Sequence, residues 1–399
     1  MSNNKFIVRN FLFLFLFLFI GRFLYPLGDE PDFFLKSSKV IKNVDHYNDL
    51  LNRYTDVYLY VRFLLDGLSE SVACNIKSSP TSFFARIDYK TCTDSLNNNL
   101  TRFLLSSCYL LLIIMPVFLD KSYILLKKIG LNCSFHEWNL RRNILSLSLI
   151  FPSIIYYLGI LSNEQVTLML ALLLFLFRGT THLSAVLIFM ILLIDTGSGL
   201  MILIYYIFIT IILYFYRYFY YWLYFFLLSF LIVLFFREDL FNFIFYYVPY
   251  IGNVFYSSNE WMKADGIIEK YPIILRPVIT YLSFIFLTPA KIKIIPLYII
   301  FSFFLLLFFF KTFKKIFAKN KITSKNKFYF QNILIFISSI YFIISTVVLL
   351  PSYALAKYYI FITPFFLYGI ISIYKLDKVH KLFLFSNILV FLNLLIYYI

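Results

Sequence analysis

Three carboxylates crowd into four residues, Asp29, Glu30 and Asp32, just after the first long apolar run of the chain, in the stretch Leu27-Gly28-Asp29-Glu30-Pro31-Asp32. An ionisable group at the edge of an apolar slab is costly unless water, a partner charge or a substrate compensates it. Carboxylates so placed can act as a general base on a hydroxyl or hold a divalent metal. A plainer role also fits: Asp29 and Glu30 suit the N-cap of a following helix with Pro31 in its first turn. Capping does not exclude catalysis. Other charged groups punctuate the apolar runs: Glu164, the triplet Arg237-Glu238-Asp239, Arg276 beside Pro277, and Lys357. Arginine and lysine can hold a phosphate or diphosphate leaving group, arginine through two parallel hydrogen bonds. Together these types suit the attack of a hydroxyl on a carbon whose phosphate departs against cations. Each one alone also reads as an ordinary helix-end charge, and Lys357 as a side chain reaching back to the interface. A second polar knot, Arg178 and His182, falls on the opposite face by the topology below.

The elements that must position these residues are set by composition. Hydrophobic residues make up 61% of the 399 residues and charged ones only 14%, with a mean hydropathy of +0.82. Apolar runs of membrane-spanning length recur to the last residue, which predicts an all-α, polytopic membrane protein forming a single integral-membrane domain over 1–399. The formal charge of +16 sits mostly in short segments between those runs, as the positive-inside rule requires. Membrane lipids with anionic headgroups, and a phosphorylated lipid substrate, are therefore the expected partners. Nucleic acid is not, because no basic soluble domain is present to carry it. Four cysteines are too few for a disulfide framework. Cys74 and Cys92 share the longest polar loop and could bridge there in an oxidising compartment. No CxxC or Cys/His spacing points to zinc, and the four histidines are scattered.

Taken in order, the chain predicts about 11 crossings with a cytoplasmic N-terminus. The expected spans are 11–25, 103–119, 143–161, 166–177, 183–194, 200–215, 222–236, 294–310, 333–349, 358–373 and 382–399. The basic n-region before the first run lacks a small-x-small cleavage site, so that run is read as an uncleaved helix. The first outer loop covers 27–101, and within it Val44 to Ser69 carries apolar residues at helical spacing, an amphipathic helix on the membrane surface. Asp120 to Arg142 is read as a cytoplasmic loop, and Ser162-Asn163-Glu164-Gln165 as a tight outer turn. The second large outer loop covers 237–293. The apolar stretch after Arg276 runs only about 12 residues, short of the roughly 20 a span needs, so it is read as re-entrant or surface-lying. Residues 311–328 form the most basic cytoplasmic loop.

On this topology the acids at 29–32, Glu164, Arg237-Glu238-Asp239, Arg276 and Lys357 share one face. The arrangement resembles the GT-C class of integral-membrane glycosyltransferases, in which an acidic motif follows the first span and a second acid lies in the next outer turn. The matching positions are Asp29-Glu30 and Glu164. The segment from Lys357 to Pro364 is similar to the basic-Tyr-x-x-Pro ends of such enzymes, with Lys in place of the usual Arg and a wider spacing to the proline. The chain also resembles Wzy-type O-antigen and capsular polysaccharide polymerases in length, number of spans, Phe/Tyr/Ile-rich composition and two sizeable outer loops with arginine. The piece beginning His182-Leu183-Ser184-Ala185 is similar to a segment of one group of them.

The resemblance implies polymerisation of oligosaccharide repeat units carried on undecaprenyl diphosphate, at the outer face of a bacterial inner membrane, with a flippase and a chain-length regulator as partners. Asp29, Glu30, Asp32 and Glu164 would then be catalytic, and Arg276, Arg237 and Lys357 would bind the diphosphate. The alternative is transfer of a single sugar from a polyprenyl phosphate. A second alternative, a polysaccharide or lipid transporter, is disfavoured by the absence of an internal repeat and by the scarcity of charge within the spans.

Overall fold

The computed structural model describes residues 3–24, 96–131, 133–160, 162–247, 303, 307–308, 310–312, 314, 327–349 and 358–398. Among them there is no strand, and helix follows helix with short connections. Five helices are long and apolar enough to cross a membrane, at Asn4–Leu24, Gly197–Tyr214, Tyr216–Phe235, Phe330–Leu349 and Leu376–Leu395. The protein is an integral-membrane helical protein. The amphipathic helix expected over 44–69 and the short stretch after Arg276 lie outside the described residues.

Two compact units divide the chain, residues 1–150 with 154–202, and residues 151–153 with 203–399. In the first unit α1 (Asn3–Leu24) packs against α2 (Leu96–Tyr109) and α4 (Phe135–Ser148). Helix α2 continues through a π turn (Leu110–Ile114) and a 3-10 turn (Met115–Phe118) opened by Pro116, whose missing N–H cannot hold an α ladder. The chain then bends by 72° into α3 (Asp120–Lys128). Pro152 likewise separates α4 from α5 (Pro152–Gly159). Helices α6 (Asn163–Leu176) and α7 (Thr181–Ile194) follow as an antiparallel pair. Asp195 then caps α8 (Thr196–Tyr214), accepting from the Gly197 and Ser198 amides at 3.0 and 3.3 Å. One hydrogen bond crosses the middle of this unit, from Asn10 Nδ2 on α1 to Ser146 Oγ on α4 at 3.0 Å, both residues fully buried.

The second unit contains the rest of α8, then α9 (Phe219–Phe235), α10 (Arg237–Tyr247), α11 (Lys327–Leu349), α12 (Thr363–Ile373) and α13 (Leu376–Tyr398). Helix α12 lies so close to α11 at Gly369 that an added methyl would overlap Phe336. Small residues at such a crossing let helices approach where no water drives them together. Tyr205 is buried edge-on to Phe342, Phe361 and Phe365, with its hydroxyl 2.8 Å from Ser339 Oγ. A second hydroxyl pair, Ser229 and Tyr341 at 2.7 Å, sits beside the stacked rings of Phe226 and Tyr341.

Helical backbone extends into three of the expected segments between spans. Asp120 to Arg142, read as cytoplasmic, is largely helical: α3 and the first half of α4 occupy it, and Arg141 and Arg142 are buried within α4. The loop expected over 237–293 begins as helix α10, and α2 already starts at Leu96 inside the loop expected over 27–101. Charged residues mark a water-facing stretch of chain, and a helix that projects past the apolar slab keeps its charges on helical backbone.

Candidate functional site

Glu164 is the one expected site residue whose surroundings are described in the first unit. It stands half-buried in the first turn of α6, after the N-cap Ser162, where a negative charge complements the helix dipole. Its neighbour Gln165 is fully buried and donates through Nε2 to the Leu158 carbonyl at 2.7 Å and to Ser106 Oγ at 3.1 Å. The next carbonyl, Gly159, accepts from Arg22 Nη1 at 3.2 Å. Gln165 and Arg22 therefore sit on consecutive carbonyls at the C-terminal end of α5, where a helix leaves its carbonyls unsatisfied. Gly159 itself permits the approach of α1, since an added Cβ would stand 3.1 Å from Leu18, one turn before Arg22. Arg102 lies one turn before Ser106 on α2, toward the same end, and is as buried as Arg22, at 2% and 3% exposed respectively.

This end of the first unit thus carries Arg22, Arg102, Ser106, Glu164 and Gln165 from three helices, around the C-terminal carbonyls of a fourth. Burying a guanidinium is unfavourable unless oxygen ligands surround it. Two of them lie toward one end of this bundle. Arg22 and Arg102 are not among the residues singled out from the sequence. The usable signal was their distance from the nearest lysine-rich segment. Asp29, Glu30 and Asp32 follow Arg22 by seven, eight and ten residues in sequence and lie outside the described residues. So do Arg276, Lys357, Cys74 and Cys92. Cys108 and Cys133 are free thiols.

The opposite end of the first unit carries the other polar knot. Arg141, 4% exposed, donates through Nη1 to the carbonyls of Leu176 (2.9 Å) and Arg178 (2.6 Å), closing the C-terminus of α6, and through Nη2 to Glu137 Oε1 at 2.6 Å. Arg178 Nη2 stands 3.9 Å from the same carboxylate oxygen. Arg142 meets Asp120 Oδ1 at 2.9 Å and the Phe118 carbonyl, holding the bend between α2 and α3. Burial pushes the Cys133 thiol above its ordinary range, and Arg141 pulls it partly back. His182 is exposed in the first turn of α7. Arginines bonded to helix-end carbonyls and to carboxylates are a scaffold, so this end is the weaker candidate.

No family model, curated protein or solved structure matches this chain. In the second unit Arg237 opens α10 and pairs with Glu238 at 3.5 Å, a carboxylate that is 85% exposed. An ion pair so open to water contributes little. No group of three or more metal-binding side chains occurs among the described residues.

Proposed function

We propose that the protein is a membrane glycosyltransferase of the polysaccharide-polymerase type, joining oligosaccharide repeat units carried on a polyprenyl diphosphate. The observation that carries this reading is the mouth formed by Arg22, Arg102, Glu164 and Gln165. Buried cations and a half-buried carboxylate lie toward the same end of the first unit, the end from which α1 leads in sequence to Asp29 and Glu30. In outline, a hydroxyl of the acceptor attacks the anomeric carbon of the donor. A carboxylate, Asp29, Glu30 or Glu164, takes the hydroxyl proton, and the diphosphate leaves against guanidinium groups. Asp32 adds to the acidic stretch, and Arg276, Arg237 and Lys357 are further cations proposed for the same face. A divalent cation held by the carboxylates would serve the same leaving group. A lipid-borne sugar chain explains why the mouth opens at the end of a helical bundle, because its anchor stays in the bilayer.

The topology belongs to the same proposal: eleven crossings, N-terminus inside, in the inner membrane of a bacterium. It is supported by the helices themselves. Each expected crossing other than 294–310 falls on a long apolar helix, a shorter one, or a helix broken at proline. The span 294–310 falls largely outside the described residues. Cysteine labelling from either side should find 27–95 and 250–293 outside and Lys121, Lys127 and Lys128 inside. Lys121 reached only from outside would overturn the proposed face.

The catalytic test is direct. Glu164→Gln, and the double variant Asp29→Asn, Glu30→Gln, should leave the protein inserted and lower polymer output by roughly 10²–10⁴-fold, the usual contribution of a general base. Cells should accumulate single repeat units on the lipid anchor. Accumulation of a chain lacking one sugar would favour the alternative, transfer of single sugars from a polyprenyl phosphate. Normal long polymer from both variants would reduce these acids to helix caps.

A further inference from the structure

Helix α3 is the place in the described chain where lysine and aliphatic side chains alternate on an exposed helix that turns away from its own bundle. The bend of 72° after Phe118 sets α3 across the end of the preceding apolar helix rather than along it. If that helix crosses a bilayer, α3 runs along the bilayer surface. The bend is pinned on both sides: Arg142 binds Asp120 and the Phe118 carbonyl, and Ser122 Oγ donates back to the Pro116 carbonyl at 2.5 Å.

One side of α3 is occupied. The Tyr123 ring packs against Phe135 and Trp138, and its hydroxyl donates to the Cys133 carbonyl at 3.1 Å. The chain leaves through Gly130, whose φ of +103° suits glycine, and returns to the bundle with Leu131 buried. The other side is open. Ile124, Leu125 and Ile129 are each 59–64% exposed, and Lys121, Lys127 and Lys128 are exposed with them. Lys121 and Lys128 are seven residues apart, so they stand two turns apart on one line, with Ile124 and Leu125 on either side of it. The single acid of the helix, Asp120, already holds Arg142, so the lysines set the charge of the open side.

We propose that α3 is a lipid-docking strap, its open side seated on the headgroups of an anionic phospholipid leaflet. The aliphatic side chains sink to the acyl boundary. The lysine stems lie along the same apolar surface, and their ammonium groups meet lipid phosphates. Charge complementarity selects an anionic leaflet over a neutral one, and three large aliphatic side chains exposed to water would otherwise be unfavourable. The inference rests on the membrane placement of the bundle alone and is independent of the proposed transferase activity.

The test uses the full chain with its four cysteines replaced by serine and a fluorophore on Leu125→Cys, reconstituted in nanodiscs. A second label site at Ile129→Cys guards against a local effect of the first. The probes are brominated phosphatidylglycerol and brominated phosphatidylcholine at equal mole fraction. Phosphatidylglycerol should quench the label more strongly at both sites. Lys121→Gln should reduce that preference by about fivefold, and the double variant with Lys128→Gln should nearly abolish it, since each lysine near an anionic surface contributes about that factor. Equal quenching by the two lipids would overturn the proposal. So would a label open to aqueous quencher and untouched by either lipid, which would place α3 in water. Protection from both lipids would assign the open side to a second copy of the chain. Loss of the preference in millimolar inorganic phosphate would assign it to a soluble anion, and either result ends the lipid reading.

Discussion

At the Arg141 end of the first unit, a buried guanidinium meets one carboxylate and two helix-end carbonyls within 2.9 Å, and a second arginine holds a bend through Asp120. At the Arg22 end, two guanidiniums are buried as deeply, and the described oxygen on Arg22 is a neutral carbonyl. Glu164, the acid described there, stands half-buried in the first turn of α6. The first end therefore balances its charges with its own helix termini. The second gathers cations where the sequence next supplies Asp29, Glu30 and Asp32. The contrast is between arginines closed by a carboxylate and helix termini and arginines proposed to meet a substrate's anion, a distinction that burial alone cannot make.

The largest effect should come from the clasp. Arg141→Met leaves Glu137 with only the longer contact to Arg178 at 3.9 Å and uncaps the α6 carbonyls, and breaking a buried pair costs up to about 3–5 kcal/mol. The variant should melt far earlier in detergent and be depleted from membranes. Adding Glu137→Leu should restore much of that stability, because an apolar replacement of both partners removes the stranded charge. If the single variant retained full stability and lost activity instead, the assignment of the two ends would be reversed.

Arg102→Ala should show the complementary pattern. Removing a preorganised cation from a developing anion typically costs about 10²–10³ in rate, so polymer output should fall by that factor while the amount of inserted protein changes little. Arg102→Lys should recover part of the output, since it keeps the charge and loses the planar fork. Equal losses of protein and product in Arg102→Ala would mark a second clasp.

The smallest effect concerns Cys133, behind the clasp. A thiol raised by burial holds less thiolate at neutral pH than an exposed one. Alkylation of a chain retaining Cys133 alone should therefore be slow near neutrality and keep accelerating as pH rises beyond the ordinary thiol range. A rate that levels off where a free thiol does would show this end to be open. Arg141→Met should slow the reaction near neutrality, because it removes the guanidinium that pulls the thiol partly back down.

Much of the architecture was legible in the sequence, because apolar runs and the charges between them report directly on a bilayer. The helical class and the five long apolar helices found among the described residues follow from that pattern. The errors have a common cause. Arg141 and Arg142 read as loop because adjacent charges usually mark water, yet the capping-box pattern from Ser134 to Glu137 announces a helix start before them. The Glu137 amide does donate to Ser134 Oγ, at 3.2 Å. For Glu164, sequence gave the right neighbourhood but a turn in place of a helix's first turn. Arg22 and Arg102 were illegible as a pair, since they are 80 residues apart and lie toward one end of the unit only because α1 and α2 pack together.

The hydrogen bond between Asn10 and Ser146 has a consequence for how the protein is made. The two residues are separated by 136 positions in the chain. At a synthesis rate of about 5–20 residues per second, Ser146 emerges roughly 7–30 s after Asn10. For that interval the first helix carries an amide whose eventual partner has not been translated. The amide must meanwhile be held by water at the insertion channel or by a borrowed partner. An Asn10→Leu chain should enter the bilayer sooner than the native one, and gain speed of insertion at the expense of a link between the first helix and the fourth.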